Sequence, residues 1–579
     1  MLNCENTETK MANRKADAFL LIVAVLLLFW GLGDRGLWAS EGRWAEITRE
    51  MFLNKDFFRP TIGGEPYYDK PLLTYWFIAA ITAVTNRLDE LVVRVPSAVA
   101  GIVVVLATIN LGRRLWSEQT GRIAGWLVLT TYGLIFWSRT AAADTENLAA
   151  IILCVAWYWA KRDKPDFKAF LVFYLVAFLG ALTKGLAAIA VPICAVLPDV
   201  VVNKRWRILF KPSHIAALVI GALVYFVPFV YSSVSKPGDY AASGIGLVFR
   251  ENIQRFFAPF DHTGPVYTYV IYLPVLFMPW APLLIISIMA LIRKWKELDY
   301  YTRWLVYAAA MVFMFFTASG SRRSYYILPA LPFCALITAV FLVYLRDIKL
   351  EGLRRLGLGI QEVMLGALIG LELSSPVIFK ILKARTGFDV SGSIYISTTI
   401  ISIFAIIVWI LIRRSSVWEA LKVKTDRRLS SVIAVTAILL GGYFCWQLNV
   451  GQQSRTERNF AVQLTSRTTH IPSERVGLFP KNDAKLLFYL NKSDYFSILT
   501  DKSKLKGFLM EEKPRVLVCK QRYIPSEITE ELKKYPQLTE EIESWESKSR
   551  RKERWTAWFL DKPLDKNLEI KTETITHEK

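Results

Sequence analysis

Several polar segments between long apolar runs carry carboxylates and cations at spacings that suit proton transfer or anion binding. The first reads Ser40-Glu41-Gly42-Arg43-Trp44-Ala45-Glu46, two carboxylates and a guanidinium within two helical turns. A carboxylate there can act as a general base, and the cation can hold an oxyanion; equally, Glu41 and Glu46 could simply solvate an outer face. The second, Tyr67-Tyr68-Asp69-Lys70-Pro71, sets a carboxylate beside an ammonium, which is either a plain ion pair or a phosphate holder. Asp144 and Glu146 fall at a helix start, where Asp144 could be a cap. Lys184, in Thr183-Lys184-Gly185, stands between two apolar runs with little loop to occupy, and an ionisable group so placed is a functional candidate. Glu251 and Arg255, then Arg322, Arg323, Tyr325 and Tyr326, complete the set.

The elements that must position these residues are membrane helices. The chain has 579 residues, 53% of them hydrophobic, gathered in runs such as 18–33, 91–111 and 267–292; about 20 apolar residues suffice for one crossing. The formal charge of +21 could suggest nucleic acid. Its clusters, however, fall between apolar runs, at Arg113 and Arg114, 161–168, 203–211, 293–303, 346–355 and 413–428, as cytoplasmic loops of a membrane protein do. With those loops inside, spans fall near 16–33, 91–112, 120–138, 144–160, 168–183, 185–202, 213–233, 267–292, 302–318, 325–345, 358–382, 393–412 and 430–448. The apolar stretch 72–84 breaks that parity and is expected to be interfacial or re-entrant. The expected fold is a polytopic α-helical membrane protein of about 13 transmembrane helices, occupying 1–448. Long outer loops lie at 34–90 and 232–266. Ser40 suits an N-cap for an amphipathic surface helix with Trp38, Trp44, Ile47, Met51 and Phe52 as its apolar stripe. Residues 449–579 change to short strands near 476–479, 496–499, 516–519 and 555–560, with helical stretches at 483–490 and 526–534, and predict a small outer α/β domain. Six cysteines without a CxxC pair and four scattered histidines point to neither a disulfide framework nor a histidine or cysteine metal site.

Parity puts all the candidate residues on one side. The cations Arg43, Lys70, Lys184, Arg255, Arg322 and Arg323 then run against the positive-inside bias. Together they predict an anion-binding cavity at the membrane surface, for which an anionic lipid phosphate is the natural ligand.

In this order, the blocks 40–46, 68–71, Asp144, 183–185 with Pro192, 251–256 with Pro279-Trp280, and 321–329 resemble the bacterial lipid A aminoarabinose transferases. More distantly they resemble the protein O-mannosyltransferases, both within the C-type membrane glycosyltransferases. The resemblance covers most of the first 340 residues. It implies transfer of a sugar from a polyprenyl (undecaprenyl) phosphate carrier to a lipid A-type or other acceptor, lipid or protein. The site would lie on the periplasmic face of a bacterial inner membrane, with the C-terminal domain also periplasmic. It implies Glu41 and Asp144 as candidate bases, and Arg43, Lys70, Tyr326, Lys184 and Arg255 around the donor phosphate. Glu46, Tyr68, Asp69, Arg322 and Glu251 would line the rest of the cavity. Ser40 stands where the family has Asp, which leaves the base open, and the family also admits a divalent metal. A single in-line displacement inverts the anomeric centre. Two other readings fit part of the pattern: an anionic-lipid transporter or flippase, and a protein O-glycosyltransferase of the same class.

Overall fold

The computed structural model describes residues 2–67, 69–235, 245–248, 250, 254–258, 263–347, 350–386, 392–414, 426–451, 456–480, 483–543 and 552–564. Tyr68 and Glu251 lie outside them, as does the side chain of Arg255, which opens the short turn Arg255–Phe257. The chain divides into two compact units: Met1–Leu32 with Tyr68–Phe77 and Arg94–Gly451, and Gly33–Tyr67 with Ile78–Val93 and Gln452–Lys579.

Long apolar runs make the first unit helical. Six described helices are long and apolar enough to cross a membrane: Glu90–Leu115, Pro212–Tyr231, Tyr300–Ala318, Glu351–Ile378, Ile394–Arg414 and Arg427–Gln447. Leu73–Thr85, Phe167–Ala181, Ala187–Val202 and Leu328–Val343 are apolar but only 10–17 residues long, short of the ~30 Å hydrocarbon thickness when straight. Length and apolarity alone therefore stop below the expected thirteen spans, although the polytopic helical architecture is as expected.

Two expected spans are broken. Residues 120–138 form Glu118–Leu129 and Tyr132–Ser138. Residues 267–292 form Thr268–Leu276 and Ala281–Arg293, bent by 115°. The causes are local. Thr131 turns its hydroxyl to cap the second helix at Leu134 N (3.2 Å), and Pro279 has no N–H to continue a ladder. A broken helix inside an apolar slab must find partners for its freed backbone groups, and these two breaks supply each other. Tyr132 N donates to Met278 O at 2.8 Å, while the indole N–H of Trp280 reaches Thr130 O at 3.1 Å and Thr130 Oγ1 at 3.0 Å. Pro279-Trp280 thus has a structural task.

Small residues set the close approaches. A Cβ on Gly180 would stand 2.3 Å from Ala150 Cβ and 2.9 Å from Ala188 Cβ, so Phe167–Ala181 can lie against the helices on either side of it in sequence. Arg139 donates to Leu27 O (3.0 Å) and Trp30 O (2.8 Å), a cation at the carbonyl-rich end of the first helix, Leu2–Phe29. At the opposite ends of the site-bearing helices, fully buried Asp199 accepts from Arg162 (2.8 Å), Asn203 (2.8 Å), Tyr158 and Tyr300. That hub fastens Asp144–Lys161, Ala187–Val202 and Tyr300–Ala318 together.

The second unit contains helix Glu41–Asn54 and the α/β domain. That helix forms with Trp44, Ile47 and Met51 of the expected stripe buried, whereas Trp38 precedes it and Phe52 is exposed. Ser40 occupies the N-cap but makes no side-chain cap bond. Gly42 lets this helix touch Ala484–Leu490: a Cβ there would meet Lys485 Cγ at 2.3 Å. Tyr489 OH accepts from Leu37 N (2.7 Å) and donates to Glu90 (3.0 Å). A hairpin of β1 (Thr61–Ile62) and β2 (Glu65–Pro66) turns at Gly63 and Gly64, whose φ values of 62° and 79° suit glycine. Buried Glu50 holds that turn by accepting from Gly63 N (2.5 Å), Gly64 N (3.2 Å) and the Thr61 hydroxyl.

Beyond residue 456, β3 (Val476–Phe479), β4 (Ser497–Ile498), β5 (Arg515–Lys520), β6 (Gln537–Glu543) and β7 (Lys552–Leu560) form one sheet in the order β4-β3-β5-β7-β6. The first three strands are parallel, and β7 runs antiparallel to both its neighbours. Phe479, Leu505, Leu517, Ile528, Leu532 and Trp558 fill its core. The small α/β domain expected from the sequence is present; strand β6 and helix Lys502–Leu509 are additions to that expectation.

Candidate functional site

On the first unit, the side chains gather around Lys184. Helix Asp144–Lys161 begins at Asp144, with Ala143 as its uncapped N-cap residue. Asp144 is therefore free of the capping role that sequence position allowed it, and its carboxylate accepts from Lys184 Nζ. The pair is largely buried, with side-chain exposures of 9% and 26%. The same ammonium lies 4.6 Å from the ring centre of Tyr326 and 5.1 Å from that of Tyr325, within cation–π range. Tyr325 and Tyr326 meet edge to face at 5.2 Å, and Trp137 lies 4.2 Å from Tyr325. A half-buried cation held between a carboxylate and two aromatic faces is fixed in place and is of the chemical type that can meet an oxyanion.

The other expected cations divide by what they touch. Arg323 is exposed and donates to Tyr325 OH at 3.1 Å, so it borders the Lys184 cluster. Arg322 does not: its guanidinium donates to Thr317 O (3.2 and 2.9 Å) and Gly264 O (2.7 Å), fastening one backbone segment to another. Lys70 Nζ donates to the Asp69 carbonyl at 2.9 Å, and the Asp69 carboxylate faces Arg250 at 3.6 Å, half exposed. Leu73 N donates to Leu182 O (3.0 Å), tying the segment after Lys70 to the turn before Lys184. Glu146 is buried and meets the Ser97 hydroxyl at 3.3 Å.

Asn147 carried no assigned role in the sequence. Its amide donates to Gly180 O (3.1 Å) and Gly185 O (3.3 Å), on both sides of Lys184. Its signal was the three-residue spacing from Asp144, which puts both on one helix face.

On the second unit, Glu41 and Glu46 are fully buried, which rules out a solvating role. Glu41 accepts from Arg35 (3.2 Å) and Trp38 N (3.0 Å). Arg43 donates to Tyr67 OH at 2.6 Å. Glu46 takes both forks of Arg49 at 2.8 Å. Burial nevertheless pushes the Glu46 carboxyl up to about 7, Glu50 adding to the rise and Arg49 opposing it. The folded protein then retains a proton that the unfolded chain loses above the ordinary 4.5. Stability is full below that value and falls as pH rises to about 7. Glu46→Gln is expected to flatten a slope worth on the order of 3 kcal/mol, read as melting temperature against pH.

Among the described residues no three His, Cys, Asp or Glu converge as metal ligands.

Comparison with known proteins agrees with this architecture. The crystal structure of ArnT from Cupriavidus metallidurans bound to undecaprenyl phosphate superposes with a TM-score of 0.68 at 18% identity, over 93% of this chain and 97% of that one. The fold is thus that of ArnT, a polytopic helical membrane protein. The dolichyl-phosphate-mannose-protein mannosyltransferase family matches residues 69–231, which include Lys70, Asp144 and Lys184. The undecaprenyl phosphate-α-4-amino-4-deoxy-L-arabinose arabinosyl transferase of Pseudomonas aeruginosa is 30% identical over 383 residues, 63% of this chain and 67% of the relative. That of Edwardsiella ictaluri is 26% identical over 497 residues, 82% and 84% of the two chains. The chain belongs to this arabinosyl transferase family and is a glycosyltransferase.

Proposed function

We propose that the chain moves a sugar, 4-amino-4-deoxy-L-arabinose on the pattern of its relatives, from undecaprenyl phosphate to a phosphate of a lipid A-type acceptor. The setting is the periplasmic face of a bacterial inner membrane, with residues 1–448 as the transmembrane catalytic part and 449–579 as a periplasmic domain. Supporting the orientation, the basic clusters at 113–114, 161–168 and 203–211 fall at the opposite helix ends from Asp144 and Lys184.

The observation that carries the reading is the Lys184 cluster. An acceptor phosphate oxygen attacks the anomeric carbon and forms a new C–O bond. The old C–O bond breaks, and its electron pair leaves on undecaprenyl phosphate. Lys184 meets the charge that grows on that leaving oxygen, with Tyr326 and Arg323 beside it and Lys70 on the segment tied to the same turn. Arg43 and Arg255 join this set on resemblance alone.

A hydroxyl acceptor needs a base, whereas a phosphate acceptor is already ionised. Both candidate bases are engaged with cations, Glu41 with Arg35 and Asp144 with Lys184, which favours the phosphate. Accordingly, purified full-length protein in nanodiscs, given undecaprenyl-phosphate aminoarabinose, is expected to modify lipid A and to leave dephosphorylated lipid A or a hydroxylated peptide unmodified. Equal transfer to the dephosphorylated lipid overturns the acceptor assignment.

A further inference from the structure

The geometry points to Asn147 as the residue that positions Lys184 for transfer; the inference rests on the donor-phosphate role proposed for that lysine. Asp144 and Asn147 are one turn apart on a single helix face, and both reach the short connection to Ala187–Val202, Asn147 also reaching the last turn of Phe167–Ala181 before it. Asp144 takes the Lys184 side chain. Asn147 takes the backbone around it, at Gly180 O and Gly185 O. Both partners are carbonyl oxygens, so the amide nitrogen must face them. Asn147 is 3% exposed, and without it these two carbonyls lose a donor in a place where water does not readily replace it.

The connection needs such a clamp because it is built to be tight. Gly185 has φ of 147°, open to glycine and closed to most side chains. Thr183 Oγ1 also donates to Gly180 O at 2.7 Å, so that carbonyl receives two side-chain donors. The lysine is a flexible four-carbon stem on this turn. Fixing its Cα by Asn147 and its ammonium by Asp144 sets one end against the other. A displacement near 1 Å of a catalytic cation can cost about 100-fold in rate.

The test is a double-mutant cycle on sugar transfer by the full chain in nanodiscs, with melting temperature checked for each variant. Asn147→Ala is expected to lower kcat by about 10- to 100-fold, with KM for the lipid acceptor little changed. In a Lys184→Ala background the same substitution should cost less than about 3-fold, since there is no ammonium left to position. Equal losses in both backgrounds would show general damage to the fold and overturn the proposal. So would wild-type kcat in folded Asn147→Ala. Should Asn147→Ala fail to fold, Asn147→Asp preserves size while removing the donors, and the same non-additivity is required of it. Full activity in Lys184→Ala alone is a different result: it removes the donor-phosphate role itself and leaves Asn147 with nothing to position.

Discussion

Lys184→Ala is expected to lower kcat/KM for sugar transfer by about 10²–10³-fold, the usual loss when one oxyanion donor is removed. Most of the loss should appear in kcat. The donor phosphate carries one negative charge as a diester and gains another as the sugar leaves, so an ammonium beside it helps the transition state more than the bound substrate. Asp144→Asn keeps the shape and a hydrogen-bond acceptor but removes the countercharge that holds the ammonium. It should cost less, about 10- to 100-fold, and in combination with Lys184→Ala the losses should fall well short of multiplying. Lys184→Arg should not restore activity, because a planar fork does not fit a seat built for a compact ammonium against two ring faces. Initial rates with saturating and limiting donor separate the parameters; an unchanged kcat in Lys184→Ala removes this residue from the chemistry.

The largest stability effect should come from Glu41→Ala. Glu41 is fully buried and its partner Arg35 is 5% exposed, so removing the carboxylate breaks a buried ion pair. The expected cost is about 3–5 kcal/mol, a fall in the melting temperature of that unit of roughly 10 °C. Glu41→Gln retains acceptance from Trp38 N and should cost about 1–2 kcal/mol. The pair of variants also discriminates chemistry from architecture. If Glu41 holds Arg35 and the acceptor is a phosphate, folded Glu41→Gln retains transfer to within about tenfold. A loss of 10²-fold or more in that variant, with its fold intact, returns Glu41 to the role of base and with it a hydroxyl acceptor.

What the sequence disclosed depended on whether the signal was local. Lys184 stood out because a charge between apolar runs is costly, and the structure gives it a carboxylate and two aromatic faces. Its partner could not be read, since Asp144 is 40 residues away and its position equally suited a cap. Arg322 shows the reverse error. The sequence displays its charge against the topological bias, but not the backbone carbonyls that occupy its guanidinium. The breaks near 130 and 278 were hidden by continuous apolarity, although Pro279 marked one of them. For Glu41 and Glu46 the sequence left a base and a solvated face equally open; burial on an amphipathic helix is decided by partners, Arg35 and Arg49, whose pairing periodicity does not announce. In the C-terminal domain the core strands were legible from their apolar runs, whereas Gln537–Glu543 is polar at most positions and carries no such run.

That polar strand has a consequence for assembly. It is one margin of the sheet, and the other margin is the two-residue strand Ser497–Ile498. Glu540, Glu541 and Glu543 crowd the first, while the second is too brief to template a neighbour. Neither rim invites a foreign strand to zip alongside. Among the described residues, charge on one margin and brevity on the other both disfavour edge-to-edge pairing of the sheet with its own copies.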